Sequence, residues 1–385
     1  MHLGIQASLG SAATSAVDDP LVNNTYSLAF DGTDDYIATS GDGTLADATY
    51  SFWLKSTETG SNYGVFGHGA DKIGAFHINV GGTPYLAMRG TGGDTRKFWT
   101  DISAQDDGNW HHWVVYIDST SIVDSKLYVD AALQTATLTQ GTTVMTAYSS
   151  NLTIGSSTSS YFEGSIDEFA HWDKELTSTE ITAIYDNVRL NLSKDALGYE
   201  SSSDLQGWWR MGDGTLDTFP LIADQVNATL GSELLGSDTD FALSGTQSAS
   251  TSGTYWVTAA NWSIAAGKAI YDDGGNTTLD VASATIQNAG VYKFSFDISD
   301  ASSDARIKLL GDANVLVDSA TYSNGSHVAY FLLASAYGSA KTLKIEGRTD
   351  AGAFKIDNVS VKPVNGNAGL MTSMAADDIE SDVPS

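Results

Sequence analysis

Tyr50-Ser-Phe-Trp-Leu-Lys55 decides the fold. Tyr50, Phe52 and Leu54 fall on every second residue, the period that sends alternate side chains of a strand to opposite faces, so one face of this segment lies in a core. The same period runs upstream through Tyr26, Leu28 and Phe30, stops at the Asp31-Gly32 turn and resumes at Tyr36 and Ile37. Downstream it predicts strands at Phe76 to Val80, Pro84 to Met88, Trp110 to Asp118, Lys126 to Val129, Leu152 to Ile154 and Ile166 to Trp172. Short strands at this spacing, divided by Gly, Asp and Ser, predict a sandwich. One helix is marked by a capping box of Thr177 and Glu180, with Leu176 and Ile181 placed to staple across it. Its stripe of Ile181, Ile184, Tyr185 and Val188 should lie on the sandwich and close the first domain near residue 190.

A second series of strands is clearest at Tyr292, Phe294, Phe296 and Ile298, then at Ile307 and Leu309, Val328 to Leu333, Leu343 to Ile345 and Phe354 to Val361. The expected fold is therefore all-β: two tandem antiparallel β-sandwich (jelly-roll) domains, with one short helix closing the first. Residues 1–20 read as an anchoring arm, 21–190 as the first sandwich, 191–240 as a packed connector, 241–363 as the second sandwich and 364–385 as an acidic tail. In the connector, Trp208-Trp209 reads as core or interdomain packing rather than as a ligand platform. The tail, rich in small residues and without aromatics, reads as mobile or as ordered only against a partner.

Charge narrows the function. The 385 residues hold 47 acidic and 19 basic side chains, a net charge of -28, and only nine of the acids are Glu. Asp favours turns and Glu helices, so the excess acid belongs to loops. No basic patch is available to release counterions from a nucleic acid or to meet an anionic membrane, and neither is expected as a partner. The chain has no Cys, so no disulfide staples either domain. No stretch reaches the length of a membrane span, and Met1 to Val17 lacks the basic and apolar regions of a secretory signal.

Ser27-Leu-Ala-Phe-Asp-Gly-Thr-Asp-Asp-Tyr36, Trp110-His-His-Trp-Val114, Lys126-Leu-Tyr-Val-Asp130, Phe162-Glu-Gly-Ser-Ile-Asp-Glu-Phe169 and Leu176-Thr-Ser-Thr-Glu-Ile181 follow one another in an order that resembles the laminin-G-like, concanavalin A-type family. Asn261-Trp-Ser-Ile-Ala-Ala-Gly-Lys-Ala269, Gly290-Val-Tyr-Lys-Phe-Ser-Phe296 and Ile356-Asp-Asn-Val-Ser-Val361 resemble a carbohydrate-binding-module jelly roll. The pairing of both modules with a Leu-Gly-Ile start and a Gly-Leu-Met-Thr-Ser-Met segment is similar to structural proteins of marine tailed bacteriophages. That resemblance implies a non-enzymatic virion protein, a capsid decoration or fibre-like appendage at the virion surface. It would be a homo-oligomer bound to other virion proteins through the N-terminal arm or the C-terminal tail, and would adsorb to host or environmental glycans. The alternative is a bacterial extracellular or cell-surface glycan-binding protein, and a third reading is a polysaccharide-cleaving enzyme.

Cleavage of a glycosidic bond needs two carboxylates about 5 to 10 Å apart across it. The nearest set is Glu163, Asp167 and Glu168, but strand alternation sends Asp167 and Glu168 to opposite faces, and no catalysis is expected there. Consecutive His111 and His112 do not readily ligate one ion, and His112 reads as packing beside Trp110 and Trp113. Structural calcium is the cofactor that suits an acid-rich set of loops. In the first domain Asp31, Asp34 and Asp35 cluster at a strand end, where turn formation also accounts for them. In the second, the resemblance implies Asp357 as a calcium ligand, with Asp238 or Asp240 as partners. Sugar recognition would use aromatic faces edged by polar groups, and the candidates are Tyr63, Trp99 with Arg96, Trp256 and Tyr271.

Overall fold

The computed structural model describes residues 19–41, 47–57, 63–68, 73–79, 83–90, 93–99, 107–140, 151–157, 160–236, 241, 256–348 and 352–385. Among them, all named strand pairs are antiparallel, one α-helix is present, and no helix is long and apolar enough to cross a membrane.

Two sheets face each other in the first sandwich. One runs in the order Ala132–Leu133, Lys126–Val129, His111–Ile117, Ala48–Lys55, Glu163–Trp172, Ser27–Asp31 and Ile379–Glu380, with Leu205–Trp209 also pairing with Glu163–Trp172. The other runs Leu138–Gln140, Gly93–Phe98, Thr83–Gly90, Ile73–Asn79, Tyr63–His68, Leu152–Ile154, Tyr36–Thr39, Gly369–Thr372 and Leu221–Ile222. Their inner faces meet in an aromatic core in which Phe52 stacks on Phe169 at 5.5 Å and Tyr50 on Phe66 at 4.5 Å. Large flat side chains at alternate strand positions fill the space between two sheets with few rotamers to freeze, which favours this core.

The helix, Ser178–Asp186, begins at the expected capping box: Glu180 N donates to Thr177 Oγ1 and the Glu180 carboxylate receives the Thr177 amide. Ile181, Ala183 and Ile184 bury against Trp172, Tyr199 and Trp208 in a second, smaller core on the outer face of the first sheet. Tyr185 joins the stripe by stacking on Trp53 at 5.8 Å, whereas Val188, expected on the same stripe, lies past the helix end.

Two expected boundaries need correction. Residues 191–240 are more than a connector, because Leu205–Trp209 and Leu221–Ile222 are strands of the first sandwich. Trp208 and Trp209 are buried there, as core packing requires. Residues 364–385 are not a free tail. Gly369–Thr372 lies between Tyr36–Thr39 and Leu221–Ile222, and Ile379–Glu380 borders Ser27–Asp31. The acidic composition hid two buried methionines, Met371 and Met374, which enter the core while main-chain pairing satisfies the backbone. At the far end Asp382 accepts Lys55 Nζ and Trp110 Nε1, and its carbonyl accepts Ser27 Oγ at 2.6 Å.

The second sandwich packs two five-stranded sheets. One contains Trp256–Thr258, Thr277–Ile286, Lys341–Gly347, Ala305–Gly311 and Asn314–Tyr322; the other contains Trp262–Ala265, Lys268–Tyr271, Phe354–Val364, Gly290–Ser299 and Gly325–Leu333. The chain enters and leaves this unit side by side: Gly231 N donates to Pro363 O at 2.8 Å and Asn365 N to Thr229 O at 2.9 Å. Leu221, Val291, Val364 and Ala368 form a small apolar cluster where the two sandwiches meet.

Candidate functional site

The aromatic sugar-platform candidates are corrected by burial. Tyr63, Trp99, Trp256 and Tyr271 all lie in core. Trp256 packs on Phe241 and Tyr271 on Trp262 and Phe354. Gly347 makes room for the Tyr271 ring, since a Cβ at that position would come within 2.6 Å of it. A ring enclosed in this way has no face to offer a sugar, although Trp99, 1% exposed, borders the cleft that Lys97 lines. Arg96 sits 5.5 Å over the ring of Tyr85, and strand alternation places it on the opposite face from Trp99.

The acidic candidates divide. Asp31, Asp34 and Asp35 do come together, with one carboxylate oxygen of each inside a 4.8 Å sphere of separation. Hard oxygen donors of this kind suit calcium in type. The turn already uses them: Asp31 Oδ1 accepts the amides of Thr33 at 2.7 Å and Asp34 at 3.3 Å, and Asp35 Oδ2 accepts the Asp31 amide at 3.0 Å. Burial raises the Asp35 carboxyl above its usual range, with the charges of Asp31, Asp378 and Asp34 adding to it. Asp238 and Asp240 lie outside the described residues. Asp357 meets the Lys268 ammonium at 3.7 Å and its own neighbour's amide, Asn358 N, at 2.8 Å. A cation therefore already stands beside it, which counts against Asp357 as a calcium ligand.

Asp167 and Glu168 do not point to opposite faces. The pairing with Ala48–Lys55 slips between Asp167 and Ala170, and Glu168 takes a φ of 48°, so this bulge brings both acids to one side, where they are buried beside Asn23 and Asn24. Glu168 accepts Arg210 Nε at 3.0 Å and Trp208 Nε1 at 2.6 Å, and Arg210 also donates to the Asn23 carbonyl. Asp167 accepts Asn24 Nδ2 at 2.9 Å. Burial pushes the Glu168 carboxyl up to about 7 against the opposing pull of Arg210 and Trp208, and raises Asp167 as well. Glu163 is exposed at the strand's start. The buried pair holds the N-terminal segment to the sheet, an arrangement that supports a structural role.

His111 and His112 separate as strand alternation predicts. His112 is fully buried against Trp53 at 5.1 Å and Tyr185, with Ser51 Oγ 2.8 Å from Nε2, so its neighbours differ from the expected Trp110 and Trp113. His111 turns outward between Asp130 and Asp107.

The feature that sequence reading missed is a cleft of about 340 Å³ at the edge of the first sandwich, between Gly93–Phe98 and the hairpin of His111–Ile117 and Lys126–Val129. Lys97 forms part of its lining. The residue is only 8% exposed, its ammonium donates to Val123 O and Ser125 O at 2.6 Å each, and it lies 5.6 Å over the Trp99 ring. Burial lowers the pKa of this ammonium, Asp124 opposes that, and Lys126 adds to it. Above it stand Val123 and Leu133, exposed by 54% and 59%, with Gln134 beside them. Lys126 pairs with Glu175 at 2.5 Å across the opening. The loop is held by Asp118, whose Oδ1 accepts the amides of Thr120 and Ser121. A recess of this size with apolar edges and a few fixed polar groups suits a single sugar unit or a small molecule. The available signal was a lysine spaced two residues from both Thr95 and Trp99, on the inward side of a strand that sequence periodicity did not mark.

Comparison with curated proteins returns no match. Among solved structures, the chain is similar to a heptameric SAP-like pentraxin from Limulus polyphemus, at 12% identity over 42% of this chain and 82% of that one, with a TM-score of 0.33. It is also similar to the CBM40 of an IT-sialidase from Ruminococcus gnavus, at 14% identity over 43% of this chain and 99% of that one, with a TM-score of 0.34. Residues 31–182 match the family model of the concanavalin A-like lectin/glucanases superfamily, the lectin-like β-sandwich that the two facing sheets of the first domain build.

Proposed function

We propose that this chain is a non-enzymatic binding protein that displays lectin-like sandwiches and holds glycans in the cleft over Lys97. The observation that carries the reading is a buried ammonium lining a recess rimmed by exposed Val123 and Leu133. Exposed aliphatic groups can cover the apolar face of a sugar ring, while the ammonium and Gln134 address its oxygens. The test is affinity electrophoresis of the protein through gels containing bacterial and algal polysaccharides, with the sugars assayed for cleavage. Retardation without cleavage, weakened by Leu133→Asp, supports the reading; no retardation by any polysaccharide overturns it.

The setting we propose is the virion surface, as a homo-oligomer attached to other virion proteins. The support is the resemblance to phage structural proteins. With residues 369–380 paired into the first sandwich, the attachment falls to residues 1–20 rather than to the C-terminus. Detection of the chain in purified phage particles, and its loss from them when residues 1–20 are deleted, is the corresponding test. A chain found only in the extracellular medium of a bacterial culture would favour the alternative.

A further inference from the structure

We infer that the cleft over Lys97 selects glycans carrying a carboxylate, such as uronic acid units; this rests on the glycan-binding reading and narrows it. An ammonium has three N–H donors, and two of those on Lys97 are spent on the carbonyls of Val123 and Ser125. Among the described residues no oxygen takes the third, and the only other partner is the Trp99 ring face at 5.6 Å. Lys97 lines the cleft, so this donor can be met by an oxygen brought in by a ligand.

The partner best suited to it is anionic. A buried ammonium interacts more strongly with a charge than an exposed one, because the surrounding dielectric is lower, and a charge-assisted hydrogen bond is about twice as strong as a neutral one. Lys126 lies close enough to oppose the charge of Lys97, and a carboxylate placed near both would relieve that repulsion. The acids around the cleft are less able to fill the role. Asp118 is engaged by the amides of its own loop, Glu175 by Lys126, and Asp124 is exposed. A carboxylate in solvent is screened and leaves much of the ammonium's charge uncompensated. A hexuronic acid presents what the recess asks for: a ring face for Val123 and Leu133, and a carboxylate for the ammonium.

The test uses matched pairs of probes. Oligogalacturonate and oligomannuronate are titrated calorimetrically into the full chain, each beside its carboxyl-reduced counterpart, which keeps the ring and linkage but loses the charge. At least one native oligomer is expected to bind about tenfold or more tightly than its reduced form, as loss of a charge-assisted hydrogen bond implies. Lys97→Met should abolish that difference. Because Lys97 also holds the 123–125 loop, Leu133→Asp serves as the second variant: it sits on the exposed rim and should weaken the acidic oligomer more than the reduced one. Equal binding of native and reduced forms for both sugars overturns the carboxylate assignment while leaving the glycan reading in place. Failure of both forms, together with failure of the neutral polysaccharides, overturns both.

Discussion

Glu168 and Asn358 occupy the same position in two different sandwiches. Each follows an aspartate whose Oδ1 accepts its amide, at 2.7 Å from Glu168 and 2.8 Å from Asn358, and each takes a positive φ, 48° and 49°. In both cases the strand register slips at that point, so Ile166-Asp-Glu-Phe169 and Ile356-Asp-Asn-Val359 are one device used twice. The surroundings then diverge: Glu168 is buried on Arg210, whereas Asn358 is exposed and donates to Asp297 at 2.7 Å.

That contrast predicts unequal costs. Glu168→Ala strands the Arg210 guanidinium without its carboxylate and should cost about 3 to 5 kcal/mol, the usual result of breaking one side of a buried pair. Asn358→Ala should cost about 1 kcal/mol, because Ala lacks the short polar side chain that lets Asn tolerate the left-handed region and bond Asp297, and Asn358→Gly, free of any Cβ there, should remain close to wild type. Urea unfolding of the three variants checks the ordering.

Acid should act on His112. Burial lowers its pKa from 6.5 to about 3, so below pH 6.5 the unfolded chain takes up a proton that the folded chain refuses. Its contribution is therefore complete above pH 6.5 and is lost as pH falls toward 3, at up to about 1.4 kcal/mol per pH unit. Between pH 5 and 6.5 the raised Glu168 carboxyl adds a slope of the opposite sign, so the quantity to follow is the difference in unfolding free energy between wild type and His112→Gln, which should move in favour of wild type as pH rises.

The last strands should be indispensable. A chain ending at Asn365 lacks the strand that separates Tyr36–Thr39 from Leu221–Ile222, and its first sandwich should lose its near-ultraviolet circular dichroism. Met371→Ala should cost about 2 to 5 kcal/mol by emptying a core position. Asp382→Asn, which removes only a solvent-exposed pair with Lys55, should cost about 1 kcal/mol or less.

The Asp31, Asp34 and Asp35 turn should stand without calcium, since backbone amides already engage Asp31 and Asp35. A chelator should leave the melting temperature within about 1 °C, while Asp31→Ala should lower it by several degrees for the loss of a roughly 1 kcal/mol turn contact. A melting temperature that rises on adding calcium and falls back with chelator would instead show that the three carboxylates hold an ion.

The sequence made the repetitive parts legible. Period-two alternation through Tyr50, Phe52 and Leu54, and the reciprocal cap of Thr177 and Glu180, each depend on neighbours a few residues away, and both appear as expected. What escaped depends on distant parts of the chain. Gly369–Thr372 is a strand because Tyr36–Thr39 and Leu221–Ile222 flank it, and nothing within its four residues says so. Asp167 and Glu168 share a face because of a bulge, which adds one residue and reverses the alternation on which their separation was argued. Trp256 and Tyr271 have polar neighbours in sequence that suit a sugar platform, but partners such as Phe241 and Phe354 enclose them. The Lys97 recess combines both difficulties, since its strand lacks an aliphatic alternation and its carbonyl partners lie 26 and 28 residues away.

The side-by-side entry and exit of the second sandwich, at Thr229 with Asn365 and Leu230 with Val364, has an evolutionary reading. A unit whose two ends are already hydrogen-bonded neighbours can be exchanged for another whose ends are equally close, or removed and the gap sealed by a short turn, with only the small cluster around Leu221 and Ala368 left to be covered again. The first sandwich is then a socket and the second an interchangeable cassette, so lineages carrying this chain could change what they present to their surroundings by recombination at two adjacent positions instead of by gradual alteration of a surface.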